Sequence, residues 1–92
     1  ADVLAFHDVH PVAPVHVLIV PKEHMVNLNE AAKNDVPVLG KALRLAAKIA
    51  DEKGVSDSGY RVVVNNGEQG GQVVPHLHLH LIGGRPLDPK MG

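Results

Sequence analysis

Apolar and polar positions change their period several times along the chain, and each change predicts an element. Residues 2–9, DVLAFHDV, read as a short strand with mixed faces. HPVAP (10–14) holds two prolines and predicts a turn. VHVLIVPKEH (15–24) is a β-branched run apolar on both faces, hence a buried strand closed by Pro21. MVNLNEAAK (25–33) is ambiguous, with room for one helical turn. From Asp35 to Lys53 the period is helical: Leu39, Leu43, Ala46 and Ala50 recur on one face, widened by Ala42 and Ile49. Asn34 or Asp35 can cap this helix, Pro37 fits its first turn and Gly54 stops it. YRVVVNN (60–66) is a strand, GEQGGQ (67–72) a glycine-rich loop, VPHLHLHLIGG (74–84) the last strand and RPLDPKMG an irregular tail. Strands on both sides of one long helix predict an α+β fold with an antiparallel sheet, residues 1–92 forming a single domain.

The last strand carries an unusual pattern. His76, His78 and His80 alternate with Leu77, Leu79 and Leu81. Side chains of a strand alternate between faces, so the leucines enter the core and the histidines form a row above the sheet. Three solvated surface histidines would be the plain reading, but strict register on one short strand argues against it. A metal site is a second reading, since histidine is a common zinc ligand. The outer two of the row lie roughly 13 Å apart at ~3.3 Å per residue, too far to share one ion. A metal reading therefore needs a pair of histidines completed by His24 or Glu68. Nucleophilic catalysis is the third. A neutral imidazole needs no deprotonation near neutral pH and can attack phosphorus directly. Flanking imidazoles can donate hydrogen bonds where charge develops. NNGEQGGQ just upstream adds backbone amides freed by glycine and the side-chain amides of Asn65 and Gln72, suited to an anion.

Composition narrows the choice. There is no cysteine, which removes disulfides, thiolate metal sites and a cysteine nucleophile, and suits a reducing compartment. The net charge is −1 with no long run of either sign, so neither nucleic acid nor another polyanion is an expected partner. No apolar run approaches the roughly 18 residues of a membrane span. No charged-then-apolar leader is present, and a cytoplasmic location is expected. Aromatic residues are limited to Phe6 and Tyr60, so aliphatic side chains must build the core.

HLHLHLI (76–82) resembles the signature of the histidine triad family, and the following GGR is similar to its Hint-like branch, the nucleoside phosphoramidases. Similarity extends through AFHDVHPVAPVHVLIVPKEH (5–24) and GYRVVVNNGEQGGQ (59–72), nearly the whole chain. The resemblance implies that His78 is the nucleophile, that the His76 carbonyl orients its ring, and that His80 contacts the phosphate or leaving group. His24 would sit beside the triad and fix its first ring. Asn65, Gly71 and Gln72 would bind the phosphate, Asp8 the ribose hydroxyls, and Phe6 and Val9 would lie near the base. His7, His10 and His16 match no catalytic position and read as surface or structural histidines.

There are two departures. The position after Gln72 is often a hydroxyl or polar residue in the family; here it is Val73, which offers only its backbone N–H to a leaving group. Family chains also usually carry an N-terminal helix and strand ahead of the point where this sequence starts; residues are expected to be missing before Ala1, and loss of that strand would leave an exposed sheet edge. The expected activity is hydrolysis of nucleoside 5′-phosphoramidates or acyl-nucleotidylates through a nucleotidyl-histidine, in a homodimer that binds a purine nucleotide and uses no metal or organic cofactor. The rival expectations are a nucleotide-binding regulatory module with little turnover and a histidine metal-binding module.

Overall fold

A computed structural model describes residues 2–90. The elements run β1 (Val3–His7), β2 (Val15–Pro21), α1 (Leu28–Asn34), α2 (Val36–Glu52), β3 (Tyr60–Val63) and β4 (Leu79–Gly83). The four strands form one antiparallel sheet in the order β1-β2-β4-β3. This is the α+β architecture that the alternation of periods predicts.

Both helices begin on built caps. The Glu30 amide donates to Asn27 Oδ1 at 3.0 Å, and the Glu30 carboxylate accepts from the Val26 amide at 2.6 Å. The stretch expected to form one helical turn therefore extends to seven residues. Asp35 caps α2, its Oδ1 accepting from the Val38 amide at 3.2 Å, with Pro37 in the first turn.

The core lies between α2 and one face of the sheet. Val38, Ala42, Ala46 and Ala50 are the buried row of α2, and Val17, Ile19, Leu79 and Leu81 meet that helix from β2 and β4. Alanines at i, i+4 spacing let the helix axis lie close to the strands. The observed stripe differs from the predicted one at Leu43, which is 54% exposed. It sits one residue, about 100°, round the helix from Ala42 and is carried away from the sheet. A smaller cluster of Met25, Ala31, Val38 and Leu77 joins α1 to the segment before β4.

All four predicted strands are shorter in the structure, and two of the differences bear on the site. β3 stops at Val63 rather than Asn66, and β4 starts at Leu79 rather than Val74. Pairing of β2 with β4 ends at Ile19 and Leu79. Two residues further along β2 stands Pro21, which has no N–H for the ladder. Leu77 donates instead to the Met25 carbonyl at 2.7 Å. Face alternation survives the loss of pairing: Leu77, Leu79 and Leu81 are each 2% exposed or less, while the three histidines are part-buried on the other side.

Leu81 is fully buried opposite Val17 and Val62. Leu81→Ala should lower the unfolding free energy by about 2–5 kcal/mol through lost burial plus the cavity left behind. Urea denaturation measures it, and a loss under about 1 kcal/mol would show that this leucine is not part of a close-packed core.

Candidate active site

The face of the sheet not covered by α2 holds a cavity of about 300 Å³ lined by Phe6, Leu18, Val20, Val74, His76 and His78. Strand register explains the grouping. Phe6 pairs with Leu18, and Leu18 with His80, so all three share one rung and one face. Phe6, His76 and His78 are expected site residues; Leu18, Val20 and Val74 are additions. A strand buried on both faces gives no sequence signal for which apolar residues line a cavity.

His78 Nδ1 lies 2.7 Å from the His76 carbonyl oxygen. A carbonyl can only accept, so the proton sits on Nδ1 and the lone pair on Nε2. The contact runs two residues back along the chain. It is possible because residues 74–78 have left the ladder, and among the described residues no backbone N–H claims that carbonyl. The early end of β4 thus has a chemical consequence: it frees the group that aims the central histidine.

His24 approaches the first histidine, as the resemblance implies. Its Nδ1 is 3.2 Å from His76 Nδ1, with the two rings edge to face. His76 Nε2 is 3.4 Å from the Pro21 carbonyl, which can only accept. The His76 proton is therefore on Nε2, and His24 donates to His76 Nδ1.

The glycine-rich loop is braced mainly by its own amides. Asn65 Nδ2 donates to the Gly70 carbonyl at 2.8 Å. Gln72 Oε1 accepts from the Gly67 amide at 2.9 Å, and Gln72 Nε2 donates to the carbonyls of Val26 at 2.6 Å and Val74 at 3.1 Å. A Cβ at Gly70 would lie 2.4 Å from the Asn66 carbonyl oxygen, so only glycine fits there; Gly71 needs φ +83°. Val73 and Val9 project outward, 89% and 85% exposed, and neither lines the cavity.

The HIT domain family matches residues 1–87. The purine nucleoside phosphoramidase of Escherichia coli K12 is 43% identical over 89 residues, spanning 97% of this chain and 75% of that protein. Among solved structures, a HIT family hydrolase from Legionella pneumophila Philadelphia 1 superposes with a TM-score of 0.94 at 44% identity, covering 99% of this chain and 81% of that one. A histidine triad protein from Clostridium difficile gives 0.93 at 41% identity, covering 98% and 78%. The chain belongs to the HIT domain family.

Within this HIT domain one histidine without an assigned catalytic position takes the structural alternative, and takes it inside the site. His16, expected to be a surface or structural histidine, is 6% exposed and lies inside the site. Its Nδ1 accepts from the Val12 amide at 3.1 Å, which puts its proton on Nε2. That Nε2–H faces His80 Nδ1 at 3.0 Å and Asp8 Oδ2 at 3.4 Å. His80 Nδ1 consequently accepts, leaving His80 Nε2–H as a donor. A partial signal exists in the sequence: His16 stands on β2 two residues from Leu18, on the same face, but the register that pairs β2 with β4 is a tertiary fact. His7 and His10 are exposed, as expected. Asp8 spends one carboxylate oxygen on the His10 amide at 2.7 Å and turns the other toward His16.

Ligand atoms of Asp8, His16 and His80 lie within 4.8 Å of one another, close enough to hold a cation. This is not the set that the metal reading required, which needed His24 or Glu68. It also carries a conflict. For His16 Nε2 to bind a metal, its proton must move to Nδ1, where it would point at the Val12 N–H. The arrangement suits a hydrogen-bond relay better than a metal centre.

Burial holds the His80 pKa below its ordinary value of 6.5, with the neighbouring His78 and His16 adding to the effect and Asp8 opposing it. The folded state therefore binds the His80 proton less readily than the unfolded chain. Stability should fall as pH drops below about 6.5 and level off once the lowered folded value is passed. His80→Gln should flatten that part of the stability profile. Asp8→Asn removes the opposing charge and should move the His80 titration, followed by NMR, further down. An upward shift would reverse the assigned sign.

Proposed function

We propose that this HIT domain hydrolyses nucleoside 5′-phosphoramidates or acyl-nucleotidylates to the nucleoside monophosphate through a nucleotidyl-histidine on His78. The observation that carries the reading is the His78 ring, with Nδ1 tied to the His76 carbonyl and Nε2 open beside an apolar cavity. The phosphoramidase similarity of the Escherichia coli relative supports the choice of substrate class.

In the first displacement Nε2 attacks the α-phosphorus. The Nε2–P bond forms and the bond to the leaving group breaks; an amine departs with the electron pair and takes up a proton. Water then attacks phosphorus, the P–Nε2 bond breaks, and the proton water loses balances the one the amine took. His80 Nε2–H is the hydrogen-bond donor at the phosphate or departing atom, held in that role by His16. His24 and His76 hold the carbonyl side of the site. The loop built by Asn65, Gly71 and Gln72 receives the phosphate. The Gly71 and Gln72 N–H groups already donate to the Glu68 and Gly67 carbonyls, each at 3.0 Å, and the Asn65 and Gln72 side chains brace the loop, so among the described residues Val73 offers the N–H with no partner in the protein. Asp8 accepts from the ribose hydroxyls with its remaining lone pairs. Phe6 flanks a purine base from the cavity wall, while Val9 lies outside the cavity. A cytoplasmic homodimer completes the proposal. The outward face of α2 supports the dimer, exposing Val36 at 63% and Leu43 at 54% beside an open Gly40.

The proposal is tested first at the nucleophile. His78→Ala should bind nucleoside monophosphate about as well as the unaltered protein while losing nearly all hydrolysis, because a nucleophile acts only in bond making. Mass spectrometry of a reaction quenched within one turnover should detect the nucleotidyl adduct on His78. Turnover above a few per cent of normal in the variant would move the nucleophile elsewhere.

Val73 tests the leaving-group side. At 89% exposure it can be changed with little effect on folding. Val73→Ser supplies a hydroxyl that can assist an amine of high pKa and is superfluous for a carboxylate. The substitution should raise kcat/KM for alkylamine phosphoramidates, relative to acyl-adenylates, about fivefold, the worth of one neutral hydrogen bond of ~1 kcal/mol. Equal effects on both substrates would leave the loop backbone as the relevant donor.

A further inference from the structure

Val12 stands where two hydrogen-bond systems meet. Its amide donates to His16 Nδ1 at 3.1 Å. Its carbonyl accepts two N–H groups of Arg85, from Nε at 3.1 Å and Nη2 at 2.8 Å. Arg85 Nη1 donates to its neighbour's carbonyl, that of Pro86, at 2.9 Å. Arg85 follows β4, the strand that carries His80, after the turn at Gly83 and Gly84. A Cβ at Gly84 would lie 3.0 Å from Pro14, so this turn sits directly against the loop that holds Val12.

The rest of that loop is held mainly by side chains: the His10 amide donates to Asp8 Oδ1 at 2.7 Å, Ala13 is buried, and Pro14 lies against Gly84. Pro11 and Pro14 have no N–H, and among the described residues no backbone–backbone hydrogen bond involves residues 9–14 outside the strands. Val12 is 56% exposed, so packing does not fix it. Between the bonded His10 amide and buried Ala13, the polar contacts on Val12 itself are the guanidinium at its carbonyl and the His16 ring at its amide.

We propose that Arg85 is a positioning residue for His80, acting through Val12 and His16. The clamp keeps the Val12 N–H on His16 Nδ1, which keeps the His16 proton on Nε2, which obliges His80 Nδ1 to accept and His80 Nε2 to donate. If the Val12 amide moves away, His16 can carry its proton on Nδ1. Two lone pairs then face each other between His16 and His80, and the stable answer is a proton on His80 Nδ1. His80 Nε2 becomes an acceptor and can no longer donate to a departing group. A rigid guanidinium fork suits this role, because two parallel N–H groups on one carbonyl restrain both its place and its direction, which a lysine ammonium does not do. The catalytic consequence rests on the roles proposed above for His78 and His80; the tautomer control does not.

The test compares Arg85→Ala and Arg85→Lys with the unaltered protein. Histidine nitrogen NMR on ligand-free protein reads the tautomers, and steady-state kinetics with a nucleoside phosphoramidate reads the consequence. The unaltered protein should show His16 protonated on Nε2 and bare on Nδ1. In Arg85→Ala both His16 and His80 should shift to mixed tautomers, and kcat should fall on the order of tenfold with KM little changed, as for a misdirected donor at developing charge. Arg85→Lys should lie between. An unchanged His16 tautomer in Arg85→Ala would overturn the proposal, as would a tautomer shift without loss of kcat in an active enzyme. If the alanine variant does not fold, the lysine variant decides on the same two signals. A tautomer shift in a protein that never turns over a phosphoramidate would uphold the positioning role and refute the proposed activity instead.

Discussion

Everything chemical in this molecule depends on one short contact, the 2.7 Å hydrogen bond from His78 Nδ1 to the carbonyl of His76. Imidazole has two nitrogens, and an unconstrained ring exchanges the proton between them. A carbonyl partner removes that freedom and leaves the lone pair at the far side of the ring. The carbonyl is available only because the strand pairing has stopped. Had β4 begun at Val74, as alternation alone suggests, the His76 peptide would have lain within the sheet rather than in the irregular segment before it. The proline that closes β2 is thus as much a part of the site as the histidines are.

The same logic fixes the other rings. Backbone groups set the ends of two chains: the Pro21 carbonyl assigns the His76 tautomer, and the Val12 amide assigns that of His16. Each ring passes its constraint to the next, His76 to His24 and His16 to His80. One donor, His80 Nε2–H, and two lone pairs, on His78 Nε2 and His24 Nε2, are thereby directed by main-chain groups, which are held by the fold and do not titrate. The part-buried Asp8 carboxylate adds to this at His16, where its Oδ2 faces the same Nε2–H that the Val12 amide assigns. The two atoms are 3.4 Å apart.

The scaffold beneath is simple by comparison. Leu77, Leu79 and Leu81 anchor the histidine segment from below, and an alanine row on α2 lets the helix lie close to them. Among the described residues no helix covers the sheet face above, so apolar side chains of β1 and β2 stand open beside the triad. The exposure of Phe6 at 50% and Leu4 at 48% follows from that arrangement and from β1 being an edge strand.

Local sequence determined much of this. The period of 35–53, with Asp35 and Pro37 at its start, specified a helix because caps and apolar spacing are properties of neighbouring residues. HLHLHLI specified which side chains share a face, because face alternation needs only an extended chain and survives where pairing does not. The family resemblance rested on contiguous motifs too, and it was the resemblance that implied His24 beside His76. Tertiary structure decided the rest. Leu43 and Leu39 look alike to a periodicity argument, and only the contact of α2 with the sheet shows that the row through Ala42 faces inward. His16 is one of several unassigned histidines until β2 lies beside β4 and brings it within 3.0 Å of His80. Arg85 belongs to an irregular tail until its guanidinium reaches the carbonyl of Val12, 73 residues earlier in the chain. Spacing along the chain encodes local conformation, whereas the proton positions in this site are set by contacts between segments far apart in sequence, and those exist only after the chain has folded.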